Sequence, residues 1–398
     1  MADHQVIDTR DDYLAAIETL AQGTGPIGID AERASGFTYS QRAYLIQVFR
    51  RGAGTFLFDP PAIGNFAELN NAFADEVWIL HAASQDLACL REVGIDPATI
   101  FDTELAARLL GIPRVGLGTV VEELLGIHLA KEHSAANWST RPLPESWLVY
   151  AALDVEYLPD LYDRMVDMLD EAGKTDIANQ EFAATLAKET KAQRADPWRK
   201  LSGVHSVRGQ RNLAIARELW QARDELAQQL DVSPGRLVPD ASLVAAARVA
   251  PASKHELAAL REFSGRASRS ELDRWWTAVQ AGLTTDDLPS FKSNGDTLPP
   301  PRSWADRNPE ADARYKAARA ALVTHGEERA IPIENLLTPE YLRRLAWTPP
   351  DDLTIESVSD ALRELGAREW QIEATAQLIT DAFVEAHQTI DPASESAS

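Results

Sequence analysis

Four carboxylates and one phenol fall at spacings that could serve a single reaction. Asp30 and Glu32 stand at the end of an apolar run, Gly28-Ile29-Asp30-Ala31-Glu32. Side chains two apart on a strand share a face, so both acids project together. Two same-face carboxylates repel each other unless a cation sits between them. Asp86 comes shortly after a second apolar run, 77–80, where a helical pattern begins. Tyr150 precedes Asp154 by one helical turn, which puts phenol and carboxylate on one helix face. Hard oxygen donors, with neither cysteine nor paired histidine among them, suit Mg²⁺ or Mn²⁺ rather than zinc. Carboxylates around two such ions are a device for in-line phosphodiester hydrolysis, one ion activating water and the other stabilising the leaving oxygen. A phenol with an ordinary pKa of about 10 is a poor base, so Tyr150 is read as orienting that water.

Taken singly, each feature has a plainer reading. An Asp-x-Glu at a strand end can be a solvated turn, Asp86 a first-turn acid favoured by the helix dipole, and Tyr150 with Asp154 a surface pair. Only the conjunction carries the chemistry. Other motifs fail on inspection. Gly173-Lys174-Thr175 has Met168 where a phosphate loop needs its first glycine, and His255-Glu256 has Ala259 where a zinc helix needs its second histidine.

The elements that must position these residues are legible as periodic runs. Strand-length apolar stretches occur at 26–29, 43–49, 55–58 and 77–80, with amphipathic helical stretches at 62–74, 84–93, 103–110, 117–126 and 145–171. The first three runs are closely spaced and predict an antiparallel meander; a mixed sheet flanked by helices is the expected core. From about residue 175 the strand signals vanish. Short helical patterns fill 208–284, a proline-rich stretch follows from Leu288 to Pro301, and a second helical unit occupies about 305–388.

Composition bounds the function. Of 398 residues, 45% are hydrophobic and 25% charged, which is ordinary globular usage. The single cysteine, Cys89, excludes an intramolecular disulfide. No apolar run reaches the roughly 18 residues of a membrane span, and Met1-Ala2-Asp3-His4-Gln5 lacks a signal-peptide layout, so a cytoplasmic protein without membrane association is expected. The net charge of −22 divides into −17 for residues 1–190, +4 for 191–350 and −9 for 351–398. An acidic first half that needs cations and a mildly basic helical middle suit different tasks.

In order along the chain, Asp30-Ala31-Glu32, the segment from His81 to Asp86, and Tyr150 with Asp154 resemble the three motifs of the DEDDy 3′–5′ exonucleases, most of all those of the ribonuclease D family. Tyr44-Leu45-Ile46-Gln47, Phe101-Asp102-Thr103 and Trp138-Ser139-Thr140-Arg141-Pro142-Leu143 are similar to stretches that accompany those motifs. Residues 207–286 resemble an HRDC domain in Arg236-Leu237-Val238-Pro239-Asp240 and Pro251. Residues 305–388 resemble a divergent second HRDC-like unit in Glu334-Asn335-Leu336-Leu337 and in Leu342-Arg343-Arg344-Leu345-Ala346-Trp347. The resemblance spans nearly the whole chain. It implies an α/β, RNase H-like (DnaQ-type) exonuclease domain with a mixed sheet over residues 1–190, followed by two small all-α domains at 207–286 and 305–388. Linkers are expected at 191–206 and 287–304, and a disordered tail at 389–398.

The resemblance further implies that Asp30, Glu32, Asp86 and Asp154 hold two divalent cations, Mg²⁺ or Mn²⁺, and that Tyr150 positions the water. Lys131 falls where the family has a lysine near the scissile strand, and His81 and Arg141 are further candidate substrate contacts. Arg33 and Asn137 depart from the family, which usually has an aromatic or aliphatic residue after the first-motif Glu and an Asp before Trp138. The implied activity is a 3′–5′ exoribonuclease that releases nucleoside 5′-monophosphates. Its expected partners are tRNA precursors or other structured RNAs with short 3′ extensions, and it is expected to act as a monomer. The same site could serve a DNA exonuclease, because discrimination rests on contacts to the 2′-hydroxyl. A silent nucleic-acid-binding adaptor is the remaining alternative, and the presence of all five site residues argues against it. Asp30→Ala or Asp154→Ala should abolish cleavage with the fold retained; near-normal turnover by either variant in a nuclease assay would remove the metal-site assignment.

Overall fold

The apolar runs of the first half assemble into one six-stranded mixed sheet. The computed structural model describes residues 5–129, 135–188, 196–291 and 298–390. Its strands are β1 (Val6–Ile7), β2 (Thr24–Arg33), β3 (Ala43–Arg51), β4 (Gly54–Phe58), β5 (Trp78–Leu80) and β6 (Ile100–Asp102), in the order β1-β4-β3-β2-β5-β6. The expected antiparallel meander is β2-β3-β4, while β5 adds to β2 and β6 to β5 in parallel. Strands as short as β1 and β6 carry too little alternation to be read from sequence.

Helices cover both faces, because each strand of the meander sends alternate side chains to opposite sides. On one face, Tyr13 of helix Arg10–Ala21 meets Phe58 edge-on at 5.6 Å and Phe66 at 5.0 Å. On the other, Leu148, Ala151 and Ala152 of helix Glu145–Glu156 pack against Leu45, Leu57 and the fully buried Trp138. The helical stretch expected over 145–171 is two helices, Glu145–Glu156 and Leu158–Glu171. Pro159 lies in the first turn of the second, where its missing N–H breaks no ladder bond.

Gly28 sets how closely helix Glu145–Glu156 approaches the sheet. A β-carbon there would stand 2.9 Å from the Val155 carbonyl oxygen and 3.3 Å from Leu158 Cβ. Gly28, Asp30 and Glu32 share a face of β2, so this approach brings the helix over the two acids.

The helical half divides in a way that periodicity does not reveal. Helices Gln210–Leu230, Asp240–Val249 and Leu272–Thr284 enclose a core of their own, including Leu219, Phe263, Trp275 and Val279. Trp198 and Leu201, from the stretch 191–206 expected as a linker, are buried in that core, within and just after the short turn Pro197–Lys200. At the other expected linker, 287–304, Trp304 is buried against Trp347 at 4.9 Å and Tyr315 at 5.4 Å. These indoles belong to cores because large apolar surface gains more from burial than a linker allows. Helices Pro309–Glu328, Pro339–Trp347, Ile355–Glu364 and Glu369–Ile390 share one continuous core with the sheet domain. The last of these runs into the stretch 389–398 expected as a tail; residues 391–398 lie outside the described residues.

Buried polar contacts fix the docking. Lys174 Nζ donates to the Leu109 carbonyl at 2.6 Å and the Arg329 carbonyl at 2.7 Å. Arg368 forks onto Glu181, which also accepts from Trp370 Nε1 at 2.8 Å. The first helical unit grips the loop after β2. Asp231 accepts from Ser40 N at 2.8 Å and Ser40 Oγ at 3.1 Å, and Arg236 donates to the Gly36 carbonyl while stacking over Phe37 at 4.0 Å. No helix among the described residues is long and apolar enough to cross a membrane.

A methyl group at position 28 must displace backbone rather than a flexible side chain. Gly28→Ala is therefore expected to destabilise the chain by about 1–3 kcal/mol, read as a lower urea midpoint; an unchanged midpoint would show that the helix yields to a methyl.

Candidate active site

β2 presents its two acids because of register. Asp30 pairs with Gln47 and Glu32 with Leu45 across the antiparallel ladder, and cross-strand partners share a face. That face is the one covered by helix Glu145–Glu156, whose Asp154 comes down beside them. One carboxylate oxygen from each of Asp30, Glu32 and Asp154 lies within 4.8 Å of the others. Asp86, only 5% exposed, enters from the short helix Leu87–Glu92 and lies within hydrogen-bonding reach of Asp30. With Tyr150, Arg33 and His81, these acids line one cleft of about 280 Å³.

Burial dominates the electrostatics. It pushes the Asp30 carboxyl up, against the lowering effect of the Ala31 backbone, the Asp86 hydrogen bond and Arg33. It also raises Asp86, where Asp30 adds to the shift and Arg33 opposes it. Glu32 is pushed to about 10 by burial and then by the charges of Asp30, Asp154 and Asp86. Asp154 is pushed to about 8 by burial and Asp30, against a hydrogen bond from Tyr150. Tyr150 is raised far above its ordinary value by burial and by Asp154 and Glu32.

Among the described residues, Asp30, Glu32 and Asp154 have no basic ion-pair partner; Asp86 has Arg33 at 3.4 Å. Gln47, directly opposite Asp30, is fully buried with neither amide atom hydrogen-bonded. Buried and half-buried acids without a basic ion-pair partner among the described residues, next to an unsatisfied buried amide, leave both charge and polar capacity unfilled. The donors are all oxygen, so the residues fit hard divalent cations such as Mg²⁺ or Mn²⁺.

The segment carrying Asp86 is held by a residue whose role the sequence did not disclose. Asp102, at the end of β6, accepts from the backbone N–H groups of Ala82, Ala83, Glu104 and Leu105 at 2.9–3.2 Å. Two of these bonds cap helix Thr103–Leu109, a use that an Asp before a helical run does signal. The other two fix the turn before Asp86, where Ala82 adopts a left-handed conformation with φ 61°. Such a conformation costs about 1 kcal/mol or more in a non-glycine residue, and the carboxylate offsets it.

His81 lines the cleft with Nδ1 2.9 Å from Thr103 Oγ1, and burial lowers its pKa to about 4, so it is neutral at pH 7. Arg141 is not among the cleft-lining residues. Its guanidinium binds Asp59 at 2.6 Å and the carbonyls of Trp138, Thr140 and Tyr44 at 2.7–2.8 Å, which clamps the chain before helix Glu145–Glu156 to β3 and β4. Trp138 packs at tilted ring angles 5.2 Å from Trp147 and 6.4 Å from Tyr150 and so supports the phenol from within the core. Asn137 Oδ1 accepts from Ser139 Oγ at 2.6 Å, a turn contact that an Asp could make equally well. Lys131 lies outside the described residues.

Comparison with known proteins adds independent support. Residues 4–170 match the 3′–5′ exonuclease family, residues 212–279 the HRDC domain, and residues 297–383 a 3′ to 5′ exonuclease C-terminal domain. The chain is 30% identical over 366 residues to the ribonuclease D of Gluconacetobacter diazotrophicus, covering 89% of this chain and 88% of that one. A crystal structure of a protein from Bifidobacterium adolescentis superposes with a TM-score of 0.87 at 36% identity, covering 96% of this chain and 97% of that one. The crystal structure of Escherichia coli RNase D, an exoribonuclease involved in structured RNA processing, superposes with a TM-score of 0.72 at 26% identity, covering 96% and 99%.

Carboxyls with raised pKa values disfavour their ionised forms in the folded chain. Without divalent cations, stability should therefore fall as pH rises from about 4, where these acids ionise in the unfolded chain, through about 8 for Asp154 and on towards about 10 for Glu32. A bound cation reverses this by favouring the ionised forms. Mn²⁺ is expected to raise the melting temperature more at pH 8.5 than at pH 6, by about 2–4 °C for each kcal/mol of linked stabilisation. Equal shifts at the two pH values, measured by differential scanning fluorimetry, would detach the cation from these acids.

Proposed function

The chain belongs to the ribonuclease D family of hydrolytic 3′–5′ exoribonucleases, and from that premise we propose that it trims structured RNA one nucleotide at a time, releasing nucleoside 5′-monophosphates by a two-metal mechanism. The observation that carries the proposal is the convergence of Asp30, Glu32 and Asp154, without a basic ion-pair partner among the described residues, in one cleft with Asp86 and Tyr150. Two divalent cations held by Asp30, Glu32, Asp86 and Asp154 would supply Lewis acidity at the scissile phosphate.

The protein's own groups then have separable tasks. Tyr150 donates its hydroxyl hydrogen bond to Asp154 and is held protonated, so it suits orienting a water rather than taking its proton. Neutral His81 on the cleft wall can hydrogen-bond a sugar or base without adding charge. Lys131 is assigned a phosphate contact from its place in the sequence alone. Arg141 acts through structure: its clamp on β3 and β4 sets the start of the helix that bears Tyr150 and Asp154. Helices of the first unit hold the loop that leaves β2, and their net positive segment suits weak, salt-sensitive contact with an RNA backbone.

Structured RNA is proposed as the substrate from the E. coli relative's described role, and a tRNA precursor with a short 3′ extension is the specific candidate. Incubating that RNA beside a DNA of matching sequence, with Mg²⁺ or Mn²⁺, should give a ladder of 3′-shortened RNA, 5′-monophosphate products and complete inhibition by EDTA. Equal shortening of the DNA would move the assignment to a repair-type exonuclease. Loss of neither strand would favour the nucleic-acid-binding adaptor.

A further inference from the structure

Arg33 follows the two acids at the end of β2. The β2–β3 ladder shifts register between Glu32 and Arg33, with Tyr44 the extra residue on β3, and Arg33 lines the cleft beside Ala31 and Glu32. Its Nη2 stands 3.4 Å from Asp86 Oδ1, with 25% of the side chain exposed. Asp86 is the only ion-pair partner of Arg33 among the described residues. At that distance, and without a second parallel contact, the pair is loose compared with a bidentate fork.

The acids divide accordingly. Among the described residues Asp30, Glu32 and Asp154 converge with no basic ion-pair partner, whereas Asp86, within hydrogen-bonding reach of Asp30, pairs with Arg33, whose charge acts on Asp30 and Glu32 without an ion-pair contact. We infer that Arg33 is a resident cation that competes with a second divalent ion for Asp86, so that the cleft takes one ion readily at Asp30, Glu32 and Asp154 and a second only against the guanidinium. The inference rests on the metal-dependent reading given above. A guanidinium and a divalent cation on one buried carboxylate repel strongly at short range, so the two states exclude each other in proportion to cation concentration. Arg33 would thereby set how much divalent cation the protein needs before its fourth acid is engaged. The usual aromatic or aliphatic residue at this position could not do so.

Mn²⁺ titrated calorimetrically into the full-length chain tests this without any cleavage step. Wild type is expected to show one tight and one weak site. In Arg33→Met the weak site should tighten about tenfold or more and the tight site by clearly less, because Arg33 acts on Asp30 and Glu32 without an ion-pair contact, a gain scaled down for partial solvent exposure of the pair. Arg33→Lys, which retains the charge, should stay within about threefold of wild type, and adding Asp86→Asn to Arg33→Met should abolish the gain. A second site in Arg33→Met that is no tighter than in wild type, at an unchanged melting temperature, would overturn the inference and leave the metal site standing. Should Arg33→Met fail to fold, Arg33→Gln supplies the same comparison. Absence of any Mn²⁺ binding to wild type would overturn the metal-dependent reading itself, and the inference with it.

Discussion

Four carboxyls gathered in one cleft, Glu32 and Asp86 buried and Asp30 and Asp154 half-buried, impose the central constraint on this protein. Burial and mutual repulsion act in the same direction on Glu32, Asp86 and Asp154, and among the described residues one guanidinium, that of Arg33, ion-pairs with a member of the set, Asp86. A cluster of this kind opposes its own folding, because ionised groups lose hydration and approach like charges. It persists only where rigid surroundings over-determine it. Much of the architecture can be understood as that surrounding: a central strand with partners on both sides, a helix brought close by a glycine, and a turn fixed by Asp102.

The rigidity is built from groups that would be costly if left unpaired. Asp102 spends its carboxylate on four backbone N–H groups, and Arg141 spends its guanidinium on one carboxylate and three carbonyls. Each ties an acid-bearing segment to a strand. Removing one partner would leave several buried polar groups without bonds, which costs more than the net value of the contacts themselves. Neither residue lines the cleft itself.

The helical units extend the same logic. The last one shares its core with the sheet domain and is pinned by Lys174 and by Glu181 with Arg368 and Trp370. The first keeps a separate core but holds the loop from Gly36 to Ser40, which continues directly from the strand bearing Asp30 and Glu32.

The sequence by itself determined the kinds of ligand and their local geometry. Period two on β2 put Asp30 and Glu32 on one face, one helical turn put Tyr150 with Asp154, and the oxygen-only donor set pointed to hard cations. These are properties of the chain's own repeat, so they are legible without knowing what packs against it. The meander and most helices followed for the same reason, and the short strands β1 and β6 escaped because two or three residues show no period. Only the tertiary structure decided that Arg33 meets Asp86, that Asp102 holds the Asp86 turn, that Arg141 clamps rather than lines the cleft, and that Trp198 and Trp304 belong to cores instead of linkers. Each depends on which distant segments meet. That is settled by burying apolar surface and satisfying buried polar groups across the whole fold, which no local pattern records.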